Sequence, residues 1–169
     1  TEERSYPYGN TFAHVVGYDT NGKSGLESEA NFQLLSSHEF FLNQIRNEFM
    51  GTKNTGDSVV STLSADLQTT AYNSLGDRRG AVVALEPSTG KILAMVSKPD
   101  FDPNTISENW DSLVNDETNS SLLNRATMGQ YPPGSTFKVV TALDYFRTHG
   151  SFNGFSFDCQ GSITKEGHT

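Results

Sequence analysis

The sequence predicts an α+β (mixed α/β) fold in which helices pack on an antiparallel sheet, and three stretches carry that prediction. Residues 81–86 and 91–97 are apolar, strand-length runs joined by Pro87-Ser88-Thr89-Gly90, a turn composition that makes them a hairpin. Ser64 opens a run in which Leu67, Ala71 and Leu75 recur every four residues until Gly76, the pattern of a capped helix. Residues 137–146 are apolar on nearly every side and stop at His149-Gly150, which predicts a buried helix.

In chain order, residues 1–56 form a first unit. Residues 12–18 read as a strand and 19–25 as a polar loop. Ser37-His38-Glu39 opens an amphipathic helix with Phe41, Leu42, Ile45 and Phe49 on one side, and residues 50–57 are a linker. The second unit starts near Asp57 with a short strand at 59–63, followed by the Ser64 helix and the hairpin. Residues 81–85 are apolar on both faces, which places them inside a sheet covered by helices. Two prolines break residues 98–104; residues 105–121 are polar, with Trp110 and Leu113 as anchoring contacts; residues 151–169 are polar and glycine-rich.

Charge and composition exclude several classes. A net charge of −8 over 169 residues lacks the basic footprint that nucleic acid or an anionic membrane surface requires. Cys159 is the single cysteine, so no intrachain disulfide framework exists. His14, His38, His149 and His168 show no metal-ligand spacing, which predicts neither metal nor cofactor. The carboxylate pairs Asp100/Asp102 and Asp116/Glu117 lack a second cluster and read as solvated loop charge. His14 reads as a packed or exposed strand residue. No apolar run approaches the length needed to span a bilayer, and no signal peptide is present.

The chemistry-bearing stretch is Tyr131-Pro132-Pro133-Gly134-Ser135-Thr136-Phe137-Lys138. The prolines make a stiff, extended approach, and Gly134 removes a side chain where another backbone or a ligand would come close. Residues three apart share a helix face with Cβ atoms roughly 5–6 Å apart, so Lys138 reaches back to the Ser135 hydroxyl. A serine becomes a good nucleophile when a neighbouring base takes its proton. Lysine is such a base only when neutral near pH 7, which costs roughly 4.6 kcal/mol from its ordinary pKa of ~10.4. Burial supplies an effect of that size, and the helix dipole adds about 0.3–2 kcal/mol of stabilisation to the serine oxyanion. On these residues alone two readings stand: a nucleophile with its base, or an N-capping Ser135 beside a solvated Lys138. The same spacing recurs at Ser88 with Lys91, inside the hairpin turn, and at Ser162 with Lys165, in a polar tail. Only Ser135 combines the stiff lead-in, the glycine and the apolar helix.

The run from Asn124-Arg125-Ala126 through Ser135-Thr136-Phe137-Lys138 resembles the active-serine segment of class B penicillin-binding proteins, the D,D-transpeptidases that cross-link bacterial peptidoglycan. Residues 80–104 resemble the opening of the penicillin-binding transpeptidase domain. Tyr6-Pro7-Tyr8-Gly9 and Gly25-Leu26-Glu27 resemble the end of the pedestal that precedes it. The resemblance implies that residues 1–56 are the C-terminal part of a non-catalytic pedestal or dimerisation region. It makes residues 57–169 the incomplete N-terminal part of the transpeptidase domain, truncated after the active-serine helix. It also implies five sheet strands in the complete domain, of which the first hairpin lies here.

As catalytic residues the resemblance implies Ser135 and Lys138. The family's other signatures, Ser-x-Asn and Lys-Thr-Gly or Lys-Ser-Gly, have two decoys here. Ser151-Phe152-Asn153 comes too soon after the helix to fold back beside Ser135, and Lys165-Glu166-Gly167 places an anion where the family has a small hydroxyl. The implied partners are peptidoglycan stem peptides and β-lactams, with cell-wall assembly proteins possible, no nucleic acid, and a homo-oligomer through an exposed sheet edge. The implied location is extracytoplasmic, on a bacterial membrane anchor absent from these residues. The expected function is peptidoglycan cross-linking by the complete protein, the present residues alone being inactive. The alternatives are a non-catalytic scaffold for cell-wall assembly proteins, or a serine β-lactamase or penicillin sensor of the same superfamily.

Overall fold

A computed structural model describes residues 4–38, 40–54 and 56–162. Two compact units divide the chain, Thr1–Gln130 and Tyr131–Thr169. The first unit opens with a 3-10 turn (Gly9–Phe12), then α1 (Ala13–Val16), α2 (Gly25–Glu29), α3 (Asn31–Leu35) and α4 (Phe41–Met50). After an extended stretch come α5 (Ala65–Leu75), β1 (Gly80–Leu85), β2 (Ile92–Lys98) and α6 (Ile106–Val114).

The hairpin is as expected. β1 and β2 pair antiparallel from Gly80 with Lys98 to Leu85 with Ile92, with one irregularity between Ala84 and Leu85. Its turn closes through Glu86 N–H to Lys91 O (2.9 Å) and Gly90 N–H to Glu86 O (2.8 Å). α5 also forms as read. The Ser64 hydroxyl accepts from the Leu67 N–H at 3.3 Å, and Gly76 ends the helix. Ala71 of α5 and Ala94 and Val96 of β2 form one apolar cluster, flanked by Tyr72, Leu75, Val82 and Ala84. A single face of the hairpin is covered in this way. Val83 and Leu85 are 43% and 56% exposed, so the expectation that residues 81–85 lie covered on both faces is corrected.

Residues 12–18 are not a strand. The 3-10 turn and α1 put fully buried Ala13 into a second cluster with Phe101 and Ile106. Gly17 then reverses the chain at φ +80°, where a Cβ would lie 1.9 Å from the Ser24 carbonyl oxygen. Tertiary packing overrides the β-propensity of Val15 and Val16. Residues 59–63 form no ladder either. Thr62 Oγ1 and the Ser64 N–H donate to the carbonyls of Ile92 (2.7 Å) and Leu93 (2.9 Å), so the segment runs beside β2 through isolated bonds.

The polar stretch after Thr105 contains α6, and Trp110 and Leu113 pack on the Ala13 cluster as the anchors they were expected to be. α4 starts at Phe41, and its Phe41, Leu42 and Phe49 are exposed. Glu39 lies outside the described residues.

Two side-chain amides tie distant segments together. Gln68 is fully buried; its Nε2 donates to Thr11 O (2.9 Å) and Met95 O (2.7 Å), and its Oε1 accepts from the Met95 N–H (2.8 Å). Asn104 brackets Tyr6 in the same way, through Oδ1 to the Tyr6 N–H (2.8 Å) and Nδ2 to the Tyr6 carbonyl (3.0 Å). Beside it, buried Glu27 pairs with Arg4 at 2.7 Å. Burial pushes the Tyr6 phenol up, and the charges of Glu27 and Asp19 add to the effect.

The second unit is a 3-10 turn (Gly134–Phe137) running into α7 (Lys138–His149). Gly150, at φ +73°, ends the helix by donating its N–H to Phe146 O. Tyr145 stacks on His149 (ring centroids 4.1 Å apart) and meets the edge of Phe155, so residues past the helix fold back on its last turn. The expected burial of this helix is corrected: α7 has no buried residue, and Val139, Val140 and Leu143 are 64%, 52% and 59% exposed.

Candidate active site

Ser135 lies in the 3-10 turn and Lys138 is the first residue of α7. The Lys138 N–H donates to the Ser135 carbonyl. Side chains three apart eclipse in such a turn, so the two groups share one side of it. Gly134 sits at φ +53° with nothing within 4 Å of a would-be Cβ. That positive φ is a conformation glycine adopts without strain. No side chain caps either the turn or the helix, so Ser135 is not an N-cap. Thr136 supplies the local bond instead, its hydroxyl donating to Pro133 O at 2.5 Å.

Among the described residues, neither the Ser135 hydroxyl nor the Lys138 ammonium has a hydrogen-bond partner, and both residues are exposed. The helix start is thus where the sequence put it, whereas the dry surroundings that a neutral lysine needs are not provided. That follows from the exposed face of α7, since desolvation is the term that removes a lysine's charge.

The competing sites resolve differently. Ser88 and Lys91 are exposed on the hairpin turn, as expected. Lys165, His168 and the Lys165-Glu166-Gly167 decoy lie outside the described residues. Ser151 follows α7, a helix of 12 residues and about 18 Å, and its hydroxyl accepts from the Asn153 N–H at 3.2 Å. It sits at the far end of α7 from Ser135, which bears out its rejection. Asp102 and Asp116 cap their own loops, accepting from Asn104 and Asn119 N–H groups, and the latter holds Asp116 below the usual carboxylate range. Asp100 departs from the solvated reading. It is half-buried and accepts from Asn10 Nδ2 at 3.0 Å; burial, with Asp100 adding to it, pushes the Tyr72 phenol up to about 12.

His14 is neither a strand residue nor exposed. Its Nε2 lies 3.3 Å from Pro99 O, its ring meets the edge of Phe101, and burial holds it below the usual histidine range. It also borders a cavity of about 520 Å³ in the first unit, with Met95, Phe101, Leu122 and Met128 among the walls. No group of three or more His, Cys, Asp or Glu that could hold a metal ion occurs among the described residues. None of the described helices is long and apolar enough to cross a membrane.

Sequence reasoning missed the buried polar groups Gln68 and Arg125, and the exposed Asn104 that brackets Tyr6. The one signal available was a polar residue falling on the inward side of a helix or beside a proline break.

The fold and this segment define a class: residues 80–166 match the penicillin-binding protein transpeptidase domain, and residues 2–59 match the penicillin-binding protein A dimerisation domain. The chain belongs to the class B penicillin-binding proteins. Among its relatives, the peptidoglycan D,D-transpeptidase PbpA of Mycolicibacterium smegmatis is 42% identical over 82% of this chain and 31% of its own length. MrdA of Acinetobacter baumannii, also named a peptidoglycan D,D-transpeptidase, is 34% identical over 83% of this chain and 25% of its own. The imipenem acyl-enzyme complex of penicillin-binding protein A from M. tuberculosis superposes with a TM-score of 0.76 at 34% identity, covering 88% of this chain and 38% of that one. The chain thus spans about a third of the length of the curated relatives it matches first, 31% for PbpA.

Proposed function

We propose that this chain is the acylating portion of a peptidoglycan D,D-transpeptidase. Residues 1–56 belong to its pedestal and residues 57–169 to its transpeptidase domain. In the complete protein, Ser135 Oγ attacks the carbonyl of the penultimate D-alanine of a stem peptide. Lys138 takes the hydroxyl proton, and the terminal D-alanine leaves with a proton on its amine. An amine from a neighbouring stem then displaces Ser135 and forms the cross-link. β-Lactams mimic the D-alanyl-D-alanine end and leave Ser135 as a slowly hydrolysed ester. The Ser135 N–H provides one oxyanion donor, and the loss of such a donor typically costs about 10²–10³ in rate.

The observation that carries this reading is an exposed Ser135 hydroxyl with no hydrogen-bond partner among the described residues, three positions before Lys138, in a segment that matches the transpeptidase family. A structural serine at a helix start would be engaged in capping. The reaction also needs a dry site, which the remaining residues of the complete domain supply by covering α7. The enzyme works on the outer face of the bacterial membrane, held by an anchor outside these residues. Cell-wall assembly proteins are its partners, and the free edge of β1 admits a second copy.

The test is covalent labelling. The full-length protein should take one fluorescent penicillin on Ser135, identified by mass spectrometry, and Ser135→Ala should take none. The 169-residue chain should remain unlabelled under the same conditions. Label on the Ser135→Ala protein would overturn the assignment.

A further inference from the structure

We propose that the pedestal and the transpeptidase domain meet without a hinge: residues 4–36 are built into the body of the transpeptidase domain, and residues 37–56 are an excursion from that body. The joint lies wholly inside the first unit and involves neither Ser135 nor Lys138. Residues 2–59 and 80–166 match two different domain families, and residues 50–57 read as the linker between them. Domain boundaries fall where few contacts cross, whereas this one is crossed by side-chain bonds all along residues 6–14. Asn104 takes both the N–H and the carbonyl of Tyr6, at 2.8 and 3.0 Å. Asn10 donates to Asp100 at 3.0 Å, Gln68 to Thr11 O at 2.9 Å and Asn124 to His14 O at 3.2 Å. Among these bonds Ala13 is fully buried against Phe101 and Ile106. The Tyr18 ring meets Phe101 and Trp110 edge-on, with centroids 5.7 and 5.6 Å away.

The stretch expected as a linker is the return limb of a closed loop. The Asp57 N–H donates to Ser36 O at 2.9 Å and to Gln33 O at 3.3 Å, and the Asp57 carboxylate accepts from the His38 N–H at 3.0 Å. Gly56 passes so close to α3 that a Cβ there would lie 1.9 Å from Leu34 O. The chain thus leaves the body at Ser36 and returns beside the point it left. α4, in between, has no buried residue. An exposed loop of this kind tolerates insertion and cutting, because the closure entropy it costs grows slowly with length. A rotation imposed on residues 4–30 is therefore passed to α5 and β2 through bonds and buried contacts, and is not taken up at residues 50–57.

The experiment places a protease site at residues 51–54, all exposed, in the full-length protein held on a support by a C-terminal tag. After cleavage the N-terminal piece should stay through washing in native buffer and leave only at the urea concentration that unfolds the first unit. Asn104→Ala combined with Gln68→Leu should release it at least about 10-fold faster in native buffer, since each bond lost weakens the hold. Loss of the wild-type piece on washing overturns the inference, because residues 50–57 would then be the tether. Equal retention in a folded double variant overturns it too, since other surfaces would then hold the piece. If circular dichroism shows the double variant unfolded, Asn104→Ala, which truncates an exposed side chain, decides by the same comparison. Whether Ser135 takes penicillin is read separately and leaves each of these outcomes unchanged.

Discussion

Gln68 meets Met95 through both its carboxamide oxygen and its nitrogen, pairing with that residue's backbone as a neighbouring strand would. Leucine at position 68 matches the volume and removes every bond, leaving the Met95 N–H and the Thr11 and Met95 carbonyls without it. Each buried polar group so orphaned costs about 1–3 kcal/mol, and part is regained by relaxation. Gln68→Leu should therefore lose about 3 kcal/mol in urea denaturation; a loss below about 1 kcal/mol would mean that water takes the place of the amide. Periodicity found α5 but not this role. Leu67, Ala71 and Leu75 suggested the inward face, whereas Leu67 is 37% exposed and Gln68 is the residue turned inward. Hydropathy counts a glutamine as surface, and only the edge of β2 reveals what it does. His14 makes a second prediction at this scale. Its folded pKa is depressed by burial below the unfolded 6.5, so the unfolded chain binds the extra proton. The histidine's contribution is whole above about pH 6.5 and is lost as pH falls toward the folded value. The unfolding midpoint should drop as pH falls below about 6.5, and His14→Gln should flatten that slope. An equal slope in both proteins would assign the effect to other groups.

Among the elements, the hairpin shows how one sheet can have two different edges. Met95 gives its N–H and C=O to Gln68, so its pairing with Val83 is of the kind that exchanges no backbone bonds. Val83, and Ala81 two residues before it, consequently turn their N–H groups outward, away from β2. Hydrogen exchange should find the Met95 amide among the slowest in the chain and those of Ala81 and Val83 among the fastest in the strand. Protection of Val83 that rises with chain concentration would mean that a second copy occupies the β1 edge. Slow exchange at Val83 in dilute solution would contradict the assigned register. The hairpin was legible because its information is local: two apolar runs and Pro87-Ser88-Thr89-Gly90 determine each other. The strand expected at 12–18 failed for the opposite reason. Val15 and Val16 favour extension, but Ala13 is held against Phe101 and Ile106, distant residues that no local pattern displays.

For the molecule as a whole, stability and candidate chemistry belong to different units. The first unit has its apolar clusters, the buried Gln68 amide and the Arg4–Glu27 pair. The second has a 12-residue helix without a buried residue, closed by the Tyr145, His149 and Phe155 rings. Helices of that length are marginal in water unless an apolar face is covered. Position along the chain was legible here: the helix starts at the prolines and stops at Gly150. Its surroundings were not, because an apolar run states that a helix wants cover without naming what provides it. In this 169-residue chain the amides of α7 should exchange close to the rate of an isolated helical peptide, while those of α5 and β2 approach the protection of global unfolding. The same measurement on the full-length protein should raise α7 to the level of the sheet, because desolvating Lys138 and ordering Ser135 require that cover. If α7 is already as protected as α5 in the shorter chain, its apolar face is buried without further residues. In that case the shorter chain should also react with penicillin.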